Sequence, residues 1–169
     1  AIIKAGASAL AIHGRTKSDL YANTVNYDII RQVKELHPNF PIIVNGDIKT
    51  PHQAKEILEF TKCDAIMIGR ASYGNPYIFT QINHLLETNE ELKDMDNVEK
   101  IDVLLDYAKD LISYKGEYIA LKELRSQAGW FIKNCRNSSK IRSRLTSIST
   151  FDELANILNE TKYELTKEL

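Results

Sequence analysis

The chain has 169 residues, of which 43% are hydrophobic, and a formal net charge of -1. That composition is ordinary for one globular domain or two small ones, and the near-neutral charge excludes a global field that attracts nucleic acid. No apolar run approaches the roughly 20 residues that span a bilayer, and no signal-peptide pattern is visible.

In chain order, Ala1-Ile2-Ile3-Lys4-Ala5-Gly6 reads as the last turn of a helix closed by a glycine. A helix stump that runs straight into a strand, with no initiating Met, is expected of a chain whose upstream part is absent. Short apolar runs at 7–12, 41–44 and 65–68 read as buried strands. After the first, a loop from Thr16 to Val25 carries Lys17, Asp19, Tyr21 and Asn23. Asn26 is a good N-cap for a helix whose apolar face is Ile29, Ile30, Val33 and Leu36, and His37-Pro38-Asn39 stops it. Thr50 as N-cap, Pro51 at the first helical position and Gln53 in a capping-box pattern start the next helix, with Ala54, Ile57 and Leu58 facing inward. Asn75-Pro76 caps a third, with Ile78, Phe79, Ile82, Leu85 and Leu86 as its buried stripe.

Steps of about 25–35 residues from strand to strand are the spacing of repeated βα units and predict a parallel sheet. Three strands alone make a poor closed core, so they are expected to be an arc of a larger (β/α)8 barrel. Each strand ends in a polar or glycine-bearing turn: His13-Gly14-Arg15-Thr16, Asn45-Gly46-Asp47-Ile48 and Gly69-Arg70. In a parallel sheet those ends share the face where active sites are built. Glycines allow close backbone approach, and Arg15 and Arg70 offer charge-assisted forks, so the simplest ligand is a phosphorylated cofactor. Asn45 and Asp47 also suit a turn ahead of Thr50.

The second half reads differently. Residues 87–96 form a polar, acidic linker. Beyond it the periodicity is helical: one face from Val98 to Ile112, a second from Ile119 to Ile132, and a third from Phe151 to Leu158 behind a Thr150/Glu153 capping box. A small helical bundle follows. Residues 115–144 are basic, with Tyr114, Tyr118, Trp130 and Phe131 interleaved. Such a stripe can grip phosphates and stack on bases. Trp130 itself is expected in the core, and Tyr73 and Tyr77 are read as packing residues rather than substrate contacts. Cys63 and Cys135 lie far apart without metal-ligand spacing, so no metal is expected and both are read as reduced cytoplasmic thiols.

The order His-Gly-Arg-Thr, Asn-Gly-Asp-Ile, Ile-Gly-Arg-Ala and Gly-Asn-Pro-Tyr-Ile-Phe resembles the C-terminal half of the tRNA-dihydrouridine synthases, in their bacterial nitrogen-regulation-like branch. The resemblance covers Ala1 to about Leu86 and continues more weakly from Leu121 to Leu158, through Leu124-Arg125, Trp130-Phe131 and Lys133. It implies an α/β fold: a partial (β/α)8 TIM barrel supplying the last three βα units, followed by a small all-helical domain. Residues 1–88 would be barrel and 97–169 a helical tRNA-binding domain. It implies FMN across the strand ends, NADPH as reductant, and hydride transfer from reduced flavin to a uracil of tRNA while a cysteine protonates the adjacent carbon. The flavin-phosphate positions of the family fall on Asn45, Gly46, Asp47, Gly69 and Arg70, and its histidine beside the flavin on His13. Arg125, Lys133, Arg142 and Arg144 are the expected RNA contacts.

Two departures shape the expectation. The Asn-x-Gly-Cys-Pro motif that holds the catalytic cysteine in the family is absent, as are the flavin-contacting lysine and glutamine of earlier strands, so no catalytic residue is assigned here and the chain alone is expected to be inactive. Cys63 precedes the third strand, away from the catalytic end, and does not replace the missing acid. Ser126-Gln127 stand where relatives often carry a basic pair. The alternatives are another FMN- or phosphate-binding TIM-barrel oxidoreductase, or a non-catalytic RNA-binding remnant. A missing half-barrel or a second copy of the chain could complete the sheet, whose unpaired edges otherwise invite association.

Overall fold

The computed structural model describes residues 1–19 and 24–167, so Tyr21 and Asn23 lie outside the described residues. The chain divides into two compact units, Ala1–Ser72 with Ile78–Leu92 and Tyr73–Tyr77 with Lys93–Leu169.

The first unit alternates strand and helix. It runs β1 (Leu10–His13), α1 (Tyr27–Leu36), β2 (Ile42–Asn45), α2 (Pro51–Thr61), β3 (Ala65–Met67) and α3 (Ile78–Thr88). The sheet is parallel, in the order β1-β2-β3, and its register sets His13 beside Asn45 and Asn45 beside Met67. Central β2 buries Ile42 and Val44 completely or nearly so, together with Ile30 of α1. A second cluster, Ile48, Ala54, Ile78 and Ile82, packs α2 and α3. The opening turn is a short 3-10 helix, Ile3–Ala5, closed by Gly6 in the left-handed conformation.

Local chemistry explains the helix starts. The Asn26 side chain accepts from the Ile29 amide, as its N-cap role requires. Thr50 accepts from Gln53, but the Gln53 side chain answers the Lys49 amide at 3.0 Å rather than that of Thr50. The buried stripe of α1 differs from expectation. Ile30 is buried and Val33 half-buried, while Ile29 and Leu36 are exposed. The inward face follows Tyr27, Ile30 and Lys34, spaced three and four residues apart, and Ile29 and Leu36 fall off it. Phe79 and Leu86 of α3 are likewise exposed beside buried Ile78, Ile82 and Leu85.

Lys34 is a buried cation with a full set of partners. Its Nζ donates to the Asp64 carboxylate at 2.7 Å and 2.9 Å and to the Pro38 carbonyl at 2.8 Å. Asp64 Oδ2 also accepts from the Ile42 amide at 2.8 Å, which ties α1 to the entry ends of β2 and β3.

The second unit is helical: α4 (Asn97–Lys115), α5 (Glu117–Phe131), α6 (Ser138–Leu145) and α7 (Phe151–Thr166). Leu104, Leu121, Leu124, Leu145, Leu154 and Leu158 are fully buried at its centre. Two features go beyond the sequence reading. Asp96, assigned to the linker, starts α4 through a complete capping box with Glu99. Helix α6 was not foreseen, because Ile141 and Leu145 are its only apolar residues; spaced four apart, both reach the core. Helix α7 begins at the expected Thr150/Glu153 box.

Candidate functional site

The exit ends of the three strands carry His13, Asn45 and Met67 side by side. The Asn45 side-chain amide donates to the Met67 carbonyl at 2.8 Å and braces β2 against β3. Two residues beyond the His13–Asn45 pair, in the same offset, lie Arg15 and Asp47. The Arg15 guanidinium donates to Asp47 Oδ2 at 2.5 Å, and that of Arg70 donates to Asp47 Oδ1 at 3.0 Å. One carboxylate therefore joins all three strand-end turns.

The two arginines are not equivalent. The Arg15 side chain is 3% exposed and that of Arg70 59% exposed. Arg15 belongs to the framework, and Arg70 presents its guanidinium to solvent. The Arg15 hydrogen bond holds the Asp47 carboxyl below its usual range, with the charges of Arg15, Lys49 and Arg70 adding to the effect. Arg15, Arg70 and Lys49 against the carboxylates of Asp47 and Asp19 leave the cluster cationic, a fit for an anion.

The turn after β2 is tightly built. Gly46 has φ 132 and Asp47 φ 45, both in the left-handed half of conformational space. A Cβ on Gly46 would lie 2.8 Å from a Val25 methyl and 3.2 Å from His13 Nδ1. The space freed by this glycine is thus filled by Val25 and bordered by the exposed His13 ring. Tyr27 secures the turn further by donating its hydroxyl to the Gly46 carbonyl at 2.6 Å. Burial pushes the Tyr27 phenol up, reinforced by Asp47. Gly69 is the contrast: nothing lies within 4 Å of where its Cβ would be, so that side is open to approach, while its carbonyl accepts from the Ser72 amide and hydroxyl. His13, Asn45, Gly46, Asp47, Gly69 and Arg70 all sit at this rim. Sequence reasoning missed Tyr27 and the Arg15–Asp47 pairing, although parallel register from His13 and Asn45 would have put the latter pair together.

Cys63 and Cys135 are buried free thiols, and burial pushes both up in pKa. Cys63 lies at the entry side of β3, and Cys135 in the helical core.

The four basic residues chosen in the helical unit separate into two groups. Arg125 Nε donates to the Ile148 carbonyl at 2.9 Å, and Arg144 pairs with Glu160 at 2.7 Å. Lys133 and Arg142 instead line one groove with Ser126, Gly129 and Trp130. Trp130 departs from expectation. It is 50% exposed rather than part of the core, because Leu124, Ala128, Phe131 and Ile132 already fill the inward stripe of α5 and its end. Its ring meets Tyr73 at 5.6 Å between centroids, tilted by 53°.

The first unit is thus an α/β fold whose strand ends converge on a cationic rim, and the second a helical unit with an aromatic and basic groove. The family model described as dihydrouridine synthase (Dus) matches residues 1–167, and the chain belongs to that family. It is 38% identical over 143 residues to the tRNA-dihydrouridine synthase B of Vibrio parahaemolyticus, covering 85% of this chain and 44% of that protein. It is 36% identical over 157 residues to the tRNA-dihydrouridine synthase B of Pseudomonas putida, covering 91% of this chain and 46% of that protein. The chain therefore spans less than half the length of these curated relatives.

Proposed function

We propose that these residues are the C-terminal part of an FMN-dependent synthase that reduces uridine to dihydrouridine in tRNA, with NADPH as reductant. In this reading the three strands are an arc of a (β/α)8 barrel within residues 1–88, and residues 97–169 are a tRNA-binding helical domain. The observation that carries it is the Arg15–Asp47–Arg70 bridge, which gathers the three family motifs on one cationic rim.

The rim suits the phosphate of FMN. Gly69 leaves open space on the side where a Cβ would stand, and Arg70 offers an exposed guanidinium. Asn45, Gly46 and Asp47 shape the adjoining turn, and Asp47 aims Arg70 from its carboxylate side. His13, exposed beside the Gly46 turn, is placed to hydrogen-bond a ring or phosphate edge. FMN, when bound, supplies the hydride chemistry. The proton for the product comes from a cysteine that is neither Cys63 nor Cys135: both are buried, and Cys63 stands at the entry side of β3. Lys133 and Arg142, with Arg125 and Arg144, provide positive charge for tRNA phosphates. A cytoplasmic location accompanies this reading, and no helix among the described residues is long and apolar enough to cross a membrane.

The test is the dihydrouridine content of tRNA, read by mass spectrometry, in a bacterium stripped of its own synthases. The whole reading frame that contains these residues is expected to restore dihydrouridine, while the 169-residue chain alone forms none. Failure of the whole frame would overturn the enzymatic reading; activity of the chain alone would overturn the assignment of its missing acid.

A further inference from the structure

The groove in the helical unit has a volume of about 290 Å³ and is lined by Ser126, Gly129, Trp130, Lys133 and Arg142. Ser126, Trp130 and Lys133, spaced four and three apart, fall on one side of α5 and its continuation, and Arg142 reaches in from α6. The Arg142 stem passes over Gly129, its Nε 3.4 Å from where a Cβ would stand. The indole is held in place. A Cβ on Gly74, whose φ is 67, would lie 2.4 Å from the Trp130 backbone, so the 73–77 segment seats directly on the end of α5 and sets Tyr73 against the ring.

We propose that this groove takes one unstacked nucleotide of tRNA, with its base on the Trp130 indole and an adjacent phosphate between Lys133 and Arg142. The proposal rests on the tRNA reading above and adds the place and mode of contact. A half-exposed, pre-oriented indole in one groove with two cations matches the paired chemistry of a nucleotide, a flat π-face joined to an anion. An acidic peptide would satisfy the cations and leave the ring unused. Two neighbouring cations are already engaged within the fold: Arg125 with the Ile148 carbonyl and Arg144 with Glu160.

Trp130 is the single tryptophan of the chain, so tryptophan fluorescence reports the surroundings of this one ring. Titration of the 169-residue chain with unmodified tRNA is expected to quench that emission to saturation, with fluorescence anisotropy of labelled tRNA giving the same midpoint. Trp130→Ala should weaken binding on the order of tenfold without changing the salt dependence, and Trp130→Phe should keep most of the affinity. Arg142→Gln and Lys133→Gln should each flatten the dependence of log K on log salt by about one. Binding of tRNA without quenching, or unchanged affinity in Trp130→Ala, would overturn the nucleotide pocket and leave the tRNA reading intact. No binding of tRNA by the unaltered chain would overturn both.

Discussion

Asp47 receives the guanidinium of Arg15 at 2.5 Å, across the turns that follow two neighbouring strands. The Arg15 side chain is 3% exposed, and the Asp47 carboxylate is the main charge that makes burying this cation tolerable, with Asp19 adding to it. Removing one partner of a buried pair leaves the other charge desolvated and uncompensated. Asp47→Asn should therefore lower the urea midpoint of unfolding clearly more than Arg70→Gln, since Arg70 is largely in solvent. Equilibrium unfolding of the two variants checks this. Equal midpoints would show that Asp47 serves the exposed arginine alone.

At the opposite end of the strands, Asp64 accepts from Lys34 and from the Ile42 amide. These bonds hold its carboxyl below the ordinary range, the Lys34 hydrogen bond first. A depressed folded-state pKa means that the unfolded chain binds the proton more readily. The stabilisation is then complete above the unfolded carboxyl value of about 4 and fades as pH falls through the lower folded value. Asp47 has the same sign. Urea midpoints measured from pH 7 to pH 3 should fall for the unaltered chain. Asp64→Asn should start lower at neutral pH and lose less on acidification.

Three helix starts were legible because capping is written in adjacent residues. Asn26, Thr50 and Thr150 each accept from the amide three positions on. The strand-end residues were legible for a similar reason: a short apolar run fixes where each turn falls. What the sequence hid is set by tertiary packing. Helix α6 offers only Ile141 and Leu145 to a core already framed by three longer helices, too few to show a period. Trp130 looks like a core residue by type, but its position on α5 turns it toward Tyr73. The role of Gly46 was also hidden, because Val25, distant in sequence, fills the space beside it.

Thr150 and Glu153 close a reciprocal box at the start of α7, and Glu153 also accepts from the Ser149 amide at 2.6 Å. Thr150→Ala should cost about 1 kcal/mol, the usual contribution of an N-cap. Ser143 is exposed and lies inside α6, so Ser143→Ala should stay within about 0.5 kcal/mol of the unaltered chain. Thermal unfolding of the two variants separates capping from a general effect of removing a hydroxyl.

Gly46 and Gly69 stand at neighbouring strand ends and should respond in opposite ways to the same substitution. At Gly46 an alanine would adopt φ 132 and press on a Val25 methyl at 2.8 Å. Backbone strain and overpacking each cost on the order of 1–3 kcal/mol, so Gly46→Ala should lower the melting temperature sharply. At Gly69 the backbone is not left-handed and nothing lies within 4 Å of an added Cβ. Gly69→Ala should leave stability unchanged or raise it by up to about 1 kcal/mol, by restricting the unfolded chain. If the rim holds the FMN phosphate as proposed, that same methyl occupies the open approach beside Arg70. The complete protein carrying Gly69→Ala should then melt normally and bind FMN more weakly in a flavin-fluorescence titration. Normal flavin affinity with normal melting would move the phosphate away from Gly69.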